Sequence, residues 1–110
     1  MSDTGRDRHE WQTEWQTLEP LVIDSPAESL PELDELVERL MIERGYPISV
    51  QETEARGFAE PEIVAEFLEA RRIARLVAQG EDVDPGELSS AITCYRGLYE
   101  YLLERPSARG

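Results

Sequence analysis

The sequence predicts an all-α fold: one domain, residues 1–110, built as an antiparallel bundle of three long helices and a short N-terminal helix. Three observations support this prediction. Apolar side chains recur at helical spacing in four segments, prolines and glycines mark the ends of those segments, and no stretch shows the sustained apolar–polar alternation of a strand. A chain of 110 residues is long enough for one modest hydrophobic core.

The N-terminal helix is predicted over residues 8–18. Trp11, Trp15 and Leu18 lie at positions i, i+4 and i+7, and Pro20 is expected to end the helix. Both tryptophans of the chain fall here, in the repeated word EWQTEWQT. Two interpretations are open, since the pair can dock the helix onto the protein's own core or form a face for another protein. Self-association of two copies through these rings combines the two.

The second helix is predicted over residues 30–44. Ser29 and Glu32 have the spacing of a capping box, Pro31 falls in the first turn, and Gly45 supplies a stop. One face of this helix is apolar, and its side chains are Leu30, Leu33, Leu36, Val37, Leu40 and Met41.

The two remaining long helices follow the same logic. One is predicted from Pro61 to about Gln79, with Gly80 as its stop, and its wide apolar stripe indicates two neighbouring helices. The other begins at Pro85 and keeps a single apolar face for about five turns, until Pro106 forbids continuation.

Turn chemistry fixes the segments between these helices. One or two helical turns, capped by Ser49, are predicted between residues 47 and 57. In the stretch VDPGEL, Asp84 is expected to cap the last helix and Glu87 to complete a capping box. The connection over residues 80–84 is short enough to force an antiparallel hairpin of the last two helices.

The charge of the chain bounds its partners. Eleven arginines and no lysine stand against eighteen glutamates and six aspartates, for a formal net charge of −13. Such a surface repels nucleic-acid phosphates and anionic lipid headgroups, so direct nucleic-acid or membrane binding is not expected. The opposite role, imitation of nucleic acid to occupy a basic protein, stays open.

Cysteine usage and the N-terminal sequence predict a cytoplasmic protein. Cys94 is the single cysteine, so no disulfide within the chain can form. The first residues, MSDTGRDRHEW, lack the apolar core of a signal peptide. The first seven residues and residues 106–110 are expected to be flexible ends.

No catalytic, metal-binding or cofactor-binding motif is present. His9 is the only histidine, and Thr13 stands where a zinc-protease helix needs a second one. Glu62, Glu66 and Glu69 lack the histidine partners of a di-iron bundle and are interpreted as a solvated acidic face. The chain is therefore not expected to be an enzyme, and a third function class, an enzyme using carboxylates and an arginine–tyrosine cluster, has no positioned nucleophile or base.

Arginine and tyrosine form the most informative constellation. On a helical wheel, Arg71 and Arg75 fall within the apolar arc of the third long helix, and Arg96 borders the arc of the last helix beside Tyr95 and Tyr99. Carboxylates of neighbouring helices can satisfy these guanidinium groups. The alternative is an anion-binding pocket formed by the three arginines between the two helices.

These observations predict a non-enzymatic, acidic protein–protein interaction module. The alternative is an acidic decoy or inhibitor that occupies the basic, nucleic-acid-binding surface of another protein. Four residues are candidate partner contacts: Trp11, Trp15, Ile42 and Tyr101. The partner is expected to be a protein, and a homodimer is one form that this takes.

The C-terminal half resembles a short helical hairpin of small uncharacterised proteins from GC-rich actinobacteria. The matching stretch is EPEIVAEFLEARRIARLVAQGEDVDPGELSSAITCYRGLYEYLLE, with an arginine-bearing first helix, a glycine-containing turn and an aromatic–arginine motif of Tyr95, Arg96 and Tyr99. The resemblance implies helices and a bacterial origin. It implies no activity, cofactor or site residue.

Overall fold

The computed structural model describes residues 7–106 and shows five α-helices there, with no strand among the described residues. The helices are α1 (Arg8–Asp24), α2 (Pro26–Glu43), α3 (Val50–Arg56), α4 (Pro61–Ala78) and α5 (Pro85–Leu103). The all-helical prediction is confirmed. The predicted set of three long helices and a short N-terminal one is corrected. Helix α1 has 17 residues, about as many as α2, α4 and α5, and the short helix is α3.

The ends that were predicted to be flexible, residues 1–7 and 106–110, lie outside the described residues except for Asp7 and Pro106. Asp7 is the N-cap of α1, and its carboxylate accepts a hydrogen bond of 2.9 Å from the backbone amide of Glu10. This bond satisfies one of the free amides in the first turn of α1.

Helix α2 lies at the centre of the bundle, in contact with α1, α4 and α5. Two contacts show that it runs parallel to α5. In its first half, Asp34 accepts a hydrogen bond from Tyr95, and just beyond its end Arg44 donates one of 2.8 Å to the carbonyl of Leu102. The molecule measures 42 × 32 × 19 Å, and since a helix is about 10 Å across, the bundle is two layers thick.

The last two long helices form the predicted antiparallel hairpin. Glu60, just before α4, contacts Tyr101 near the end of α5, and Glu66 contacts Cys94 one to two turns further in. Residues 79–84 make the connection. This arrangement places the second half of α4 beside the beginning of α5.

A single hydrophobic core joins the long helices. Leu33 of α2, Phe67 of α4 and Tyr95 of α5 are all completely buried and belong to the same cluster of core side chains. The ring of Phe67 meets that of Tyr95 edge to face, with centroids 6.4 Å apart. The apolar stripes read from the sequence therefore do share one interior.

Helix α1 continues past Pro20 to Asp24, so the predicted end at residue 18 is wrong. A proline inside a helix loses the hydrogen bond to the carbonyl four residues earlier, here that of Gln16. The apolar face nevertheless continues beyond it, because Leu18 and Val22 both pack against the core. Burial of this face outweighs the local cost of the proline.

Replacing Pro20 with alanine is expected to stabilise the protein by about 2 kcal/mol. Alanine restores the lost hydrogen bond, and the greater freedom of the unfolded chain offsets part of the gain. Pro20 is exposed, so no packing is lost. The urea midpoint measures the effect, with Pro61→Ala as the matched control because Pro61 is exposed at the first position of α4. Equal shifts for both variants would contradict this expectation.

Helix α2 begins at Pro26, earlier than the predicted residue 30, and the predicted capping box of Ser29 and Glu32 is not formed. Ser29 is fully buried inside the helix, and its hydroxyl donates a hydrogen bond of 2.7 Å to the carbonyl of Pro26. The early start follows from the connection, since Ser25 alone joins α1 to α2. Pro26 has the fixed φ that suits a first helical position.

The caps of α3 and α5 differ in outcome. Ser49 caps α3 as predicted, accepting a hydrogen bond of 3.1 Å from the amide of Glu52, and Gly57 ends this helix with a φ of 56°. Asp84 is the N-cap residue of α5, but its carboxylate accepts no hydrogen bond from the first turn, so the predicted capping box with Glu87 is not formed. Both carboxylates instead line a groove between α4 and α5.

Candidate functional site

Arg71 is held by carboxylates of α2. Its Nε lies 3.1 Å from Oδ1 of Asp34, its Nη2 lies 2.9 Å from Oδ2, and Glu38 contacts the same Nη2. The guanidinium also lies 4.6 Å from the ring centroid of Phe67. Tyr95 donates a hydrogen bond of 2.6 Å to Oδ1 of Asp34. Arg71 is therefore paired with carboxylates of a neighbouring helix, which is the first of the two alternatives given by the sequence.

Arg75 and Arg96 do not join Arg71 in a pocket. Arg75 is exposed on α4, outside the buried face to which the helical wheel assigned it, and forms no hydrogen bond or ion pair within residues 7–106. Arg96 points to α1, with Nη2 3.4 Å from both carboxylate oxygens of Glu19 and the guanidinium 5.9 Å from the ring centroid of Trp15. The predicted convergence of three arginines on one anion is therefore not found.

Both tryptophans pack inside the protein. Trp11 is 2% exposed and Trp15 is 6% exposed. The ring of Trp15 stacks on that of Tyr99, with centroids 4.4 Å apart and planes 12° apart, and its Nε1 donates a hydrogen bond of 2.6 Å to Glu19. In this structure neither ring offers a face to a partner, so the core interpretation replaces the partner-contact one.

The other two predicted partner contacts lie at the surface. Ile42 is 54% exposed and Tyr101 is 37% exposed. The hydroxyls of Tyr101 and Tyr46 both donate to Oε1 of Glu60, over 2.7 and 2.6 Å. These hydrogen bonds hold the pKa of Glu60 below its usual range. Tyr101 is thus part of an internal network, while Ile42 stands free of one.

A groove of about 480 Å³ lies between α4 and α5. We call it the acidic groove. Carboxylates stand along it and small or apolar side chains lie between them. Its lining residues are Glu66, Glu69, Ala70, Arg72, Ile73, Asp84, Gly86, Glu87, Ser90, Ala91 and Cys94.

Helix geometry explains how the groove forms. Glu66 and Glu69 lie three residues apart on α4 and so share an exposed face. The antiparallel hairpin brings them to the same groove as Glu87, which comes from the first turn of α5 and lies nearer the turn. Ala70 and Ala91 are buried between the two helices, and such small side chains leave a furrow at the surface.

The charge of the groove is unbalanced. Four carboxylates line it against one guanidinium, that of Arg72. Arg72 pairs with Glu69 of the preceding turn, Nη2 to Oε2, over 2.8 Å. Glu66 and Glu87 are exposed and have no hydrogen bond or ion pair through their side chains within residues 7–106. The groove therefore presents a negative potential to a cation.

Cys94 lies in the groove and is chemically quiet. Its thiol donates a hydrogen bond to the carbonyl of Glu66, with sulfur and oxygen 3.3 Å apart. Burial, with the charges of Glu66 and Glu69, raises the pKa of this thiol to about 11. At neutral pH the thiol is protonated, and a protonated thiol is a poor nucleophile.

Residues 7–106 hold no group of three or more histidine, cysteine, aspartate or glutamate side chains placed to bind a metal ion. No helix in this range is both long enough and apolar enough to cross a membrane.

Sequence reasoning missed the groove because it treated each half separately. Glu66 and Glu69 were interpreted as a solvated face, and Asp84 and Glu87 as parts of a helix cap. The available signal was the short connection over residues 80–84. In an antiparallel hairpin, positions equally distant from the turn face each other, so one seam carries Asp84 and Glu87 near the turn and Glu66 and Glu69 further from it.

Comparison of the chain with protein families, with curated proteins and with solved structures finds no match.

Proposed function

We propose that the protein is a non-enzymatic interaction module whose acidic groove binds a basic segment of a partner protein. The observation that carries this proposal is the acidic groove itself, a furrow of about 480 Å³ with carboxylates on both sides and apolar side chains between them. Its volume lies within the range of ordinary ligand pockets.

The lining suits a long basic side chain. Arginine and lysine carry an aliphatic stem that packs on apolar surface and a charged head that seeks carboxylates. In the groove the stem would lie on Ala70, Ile73 and Ala91, and the head would meet Glu66 or Glu87, one at each end of the groove. Both carboxylates are exposed, and their side chains form no hydrogen bond or ion pair within residues 7–106, so their oxygens are open to a new donor.

The charge of the whole chain favours the same partner. A net charge of −13 attracts basic proteins over long distances and speeds their encounter at low ionic strength. It also opposes the close approach of two copies, and the burial of Trp11 and Trp15 removes the surface through which a homodimer was predicted. A protein partner of opposite charge is therefore proposed ahead of a second copy.

Fluorescence anisotropy of a labelled oligo-arginine peptide with the full chain tests the proposal. Glu66→Gln/Glu87→Gln is expected to weaken binding about tenfold at low ionic strength, since each exposed charge contributes a fraction of a kcal/mol to about 1 kcal/mol. The matched control is Glu28→Gln/Glu32→Gln, which makes the same charge change on an exposed face of α2 outside the groove.

Cys94 supplies a second readout, because it is the only cysteine and lines the groove. Alkylation of Cys94 is already slow because its thiol is protonated at neutral pH. The peptide is expected to slow this alkylation further in the wild-type protein but not in Glu66→Gln/Glu87→Gln, measured as mass added over hours. Binding without protection of Cys94, or equal loss in the two double variants, would contradict the proposal.

The decoy alternative predicts equal loss of peptide binding in the two double variants. Glu28, Glu32 and Glu35 follow one another along an exposed face of α2 without ion pairs in the described part of the chain. A row of carboxylates of this kind resembles the charge pattern that a nucleic-acid-binding surface meets. If binding depends on the α2 row as strongly as on the groove, the charge acts over the whole surface and the decoy function is favoured.

A further inference from the structure

We propose that Arg72 is an internal competitor of the partner: its guanidinium occupies part of the acidic groove, and binding of a basic side chain displaces it from Glu69. This inference rests on the proposed function of the groove and adds its regulation. It predicts that the wild-type groove binds more weakly than the same groove without Arg72.

The contacts of Arg72 show what a bound guanidinium does in this groove. Its Nη2 lies 2.8 Å from Oε2 of Glu69 and its Nε lies 3.4 Å from Oε1, so one guanidinium engages both oxygens of the carboxylate. This side-on arrangement is the one that arginine prefers with carboxylates. An arginine from a partner that takes the same carboxylate must therefore replace Arg72.

Glu87 acts on the same guanidinium from the facing helix. The hydrogen bond and charge of Glu69 raise the pKa of Arg72 most, and the charge of Glu87 raises it as well. Arg72 thus lies in the field of carboxylates from both α4 and α5. With it removed, the carboxylates of the groove are left with no cation among its lining residues.

The pair is exposed enough to separate. The side chain of Arg72 is 52% exposed and that of Glu69 is 67% exposed, and exposed ion pairs of this kind contribute little to stability. The neighbouring Arg71 makes a useful contrast, because it is 13% exposed and is held by both Asp34 and Glu38. Arg71 is fixed in the fold, whereas Arg72 is free to turn away.

The test compares Arg72→Gln with Arg75→Gln, using the labelled oligo-arginine peptide and the full chain. Both substitutions remove one positive charge from exposed positions of α4, but only Arg72 lines the groove. Arg72→Gln is expected to tighten binding about two- to fivefold at low ionic strength, and Arg75→Gln to change it by clearly less. Arg72→Lys, which keeps the charge but not the side-on contact, is expected to fall between wild type and Arg72→Gln.

The outcomes separate the two proposals. Equal tightening by Arg72→Gln and Arg75→Gln, or no tightening by Arg72→Gln, overturns the competitor role while the groove can still bind. Binding to the wild type that Glu66→Gln/Glu87→Gln does not weaken overturns the groove function itself. Peptide binding by Arg72→Gln alone, with none by wild type, supports a groove that Arg72 closes. Equal melting temperatures of the variants without peptide exclude a folding effect.

Discussion

Replacing Asp34 with alanine is expected to destabilise the protein by about 3 kcal/mol. Asp34 is 17% exposed and accepts hydrogen bonds from Arg71 and from the fully buried Tyr95. Its loss leaves Arg71 with Glu38 alone and leaves the hydroxyl of Tyr95 without its acceptor. The Tyr95 hydroxyl then loses its hydration on folding without gaining a hydrogen bond, and the mostly buried guanidinium of Arg71 loses one of its two carboxylates.

Urea denaturation measures this effect as a shift of the midpoint at constant slope. The control is Glu35→Ala, one residue further along α2, which removes an exposed carboxylate and should change stability by less than about 0.5 kcal/mol. Combining Asp34→Ala with Arg71→Met is expected to reduce the free energy of unfolding by less than the sum of the single changes. The double variant no longer buries a guanidinium that lacks the carboxylate of Asp34. Strict additivity would show that the two side chains do not depend on each other.

Replacing Trp15 with alanine is expected to destabilise the protein by about 3–5 kcal/mol. The substitution removes the ring that stacks on Tyr99 and leaves a cavity beneath α1. Trp15→Phe keeps an aromatic ring in place and loses chiefly the hydrogen bond to Glu19, so it should cost about 1–2 kcal/mol. The difference between the two variants isolates the contribution of the stack.

Tryptophan emission gives an independent readout for the same variants. In Trp15→Ala the remaining Trp11 reports whether α1 stays docked, because Trp11 is only 2% exposed in the wild-type protein. Emission at short wavelength in the folded variant would show that α1 stays docked without the ring of Trp15. A loss of stability below about 1 kcal/mol would mean that docking of α1 does not depend on Trp15.

Local signals predicted the helices wherever nothing distant opposed them. The cap of α3 at Ser49 depends on neighbouring residues alone, and both this cap and a short helix between residues 47 and 57 were predicted. The end of α1 and the start of α2 were not, because tertiary packing decides them. The face of α1 that covers the core extends past Pro20, and the one-residue link to α2 leaves Ser29 inside a helix.

The site was less predictable than the fold for the same reason. The helical wheel of α4 placed Arg71 within the apolar arc, and the structure shows its side chain to be 13% exposed. Periodicity placed Arg75 beside Arg71, but Arg75, one turn further along α4, is exposed. The acidic groove depends on which residues of α4 and α5 face each other, and no single helix carries that information.

The link between α1 and α2 also bears on how two copies could meet. Exchange of α1 between molecules would require the helices to fuse into one rod through Ser25, whose φ of −142° and ψ of 71° are far from helical. The ring of Pro26 disfavours helical backbone at the residue before it, and its missing amide would cost such a rod about 3 kcal/mol. The connection through Ser25 and Pro26 therefore disfavours exchange of α1 between two copies, and keeps Trp11 and Trp15 packed within the chain that carries them.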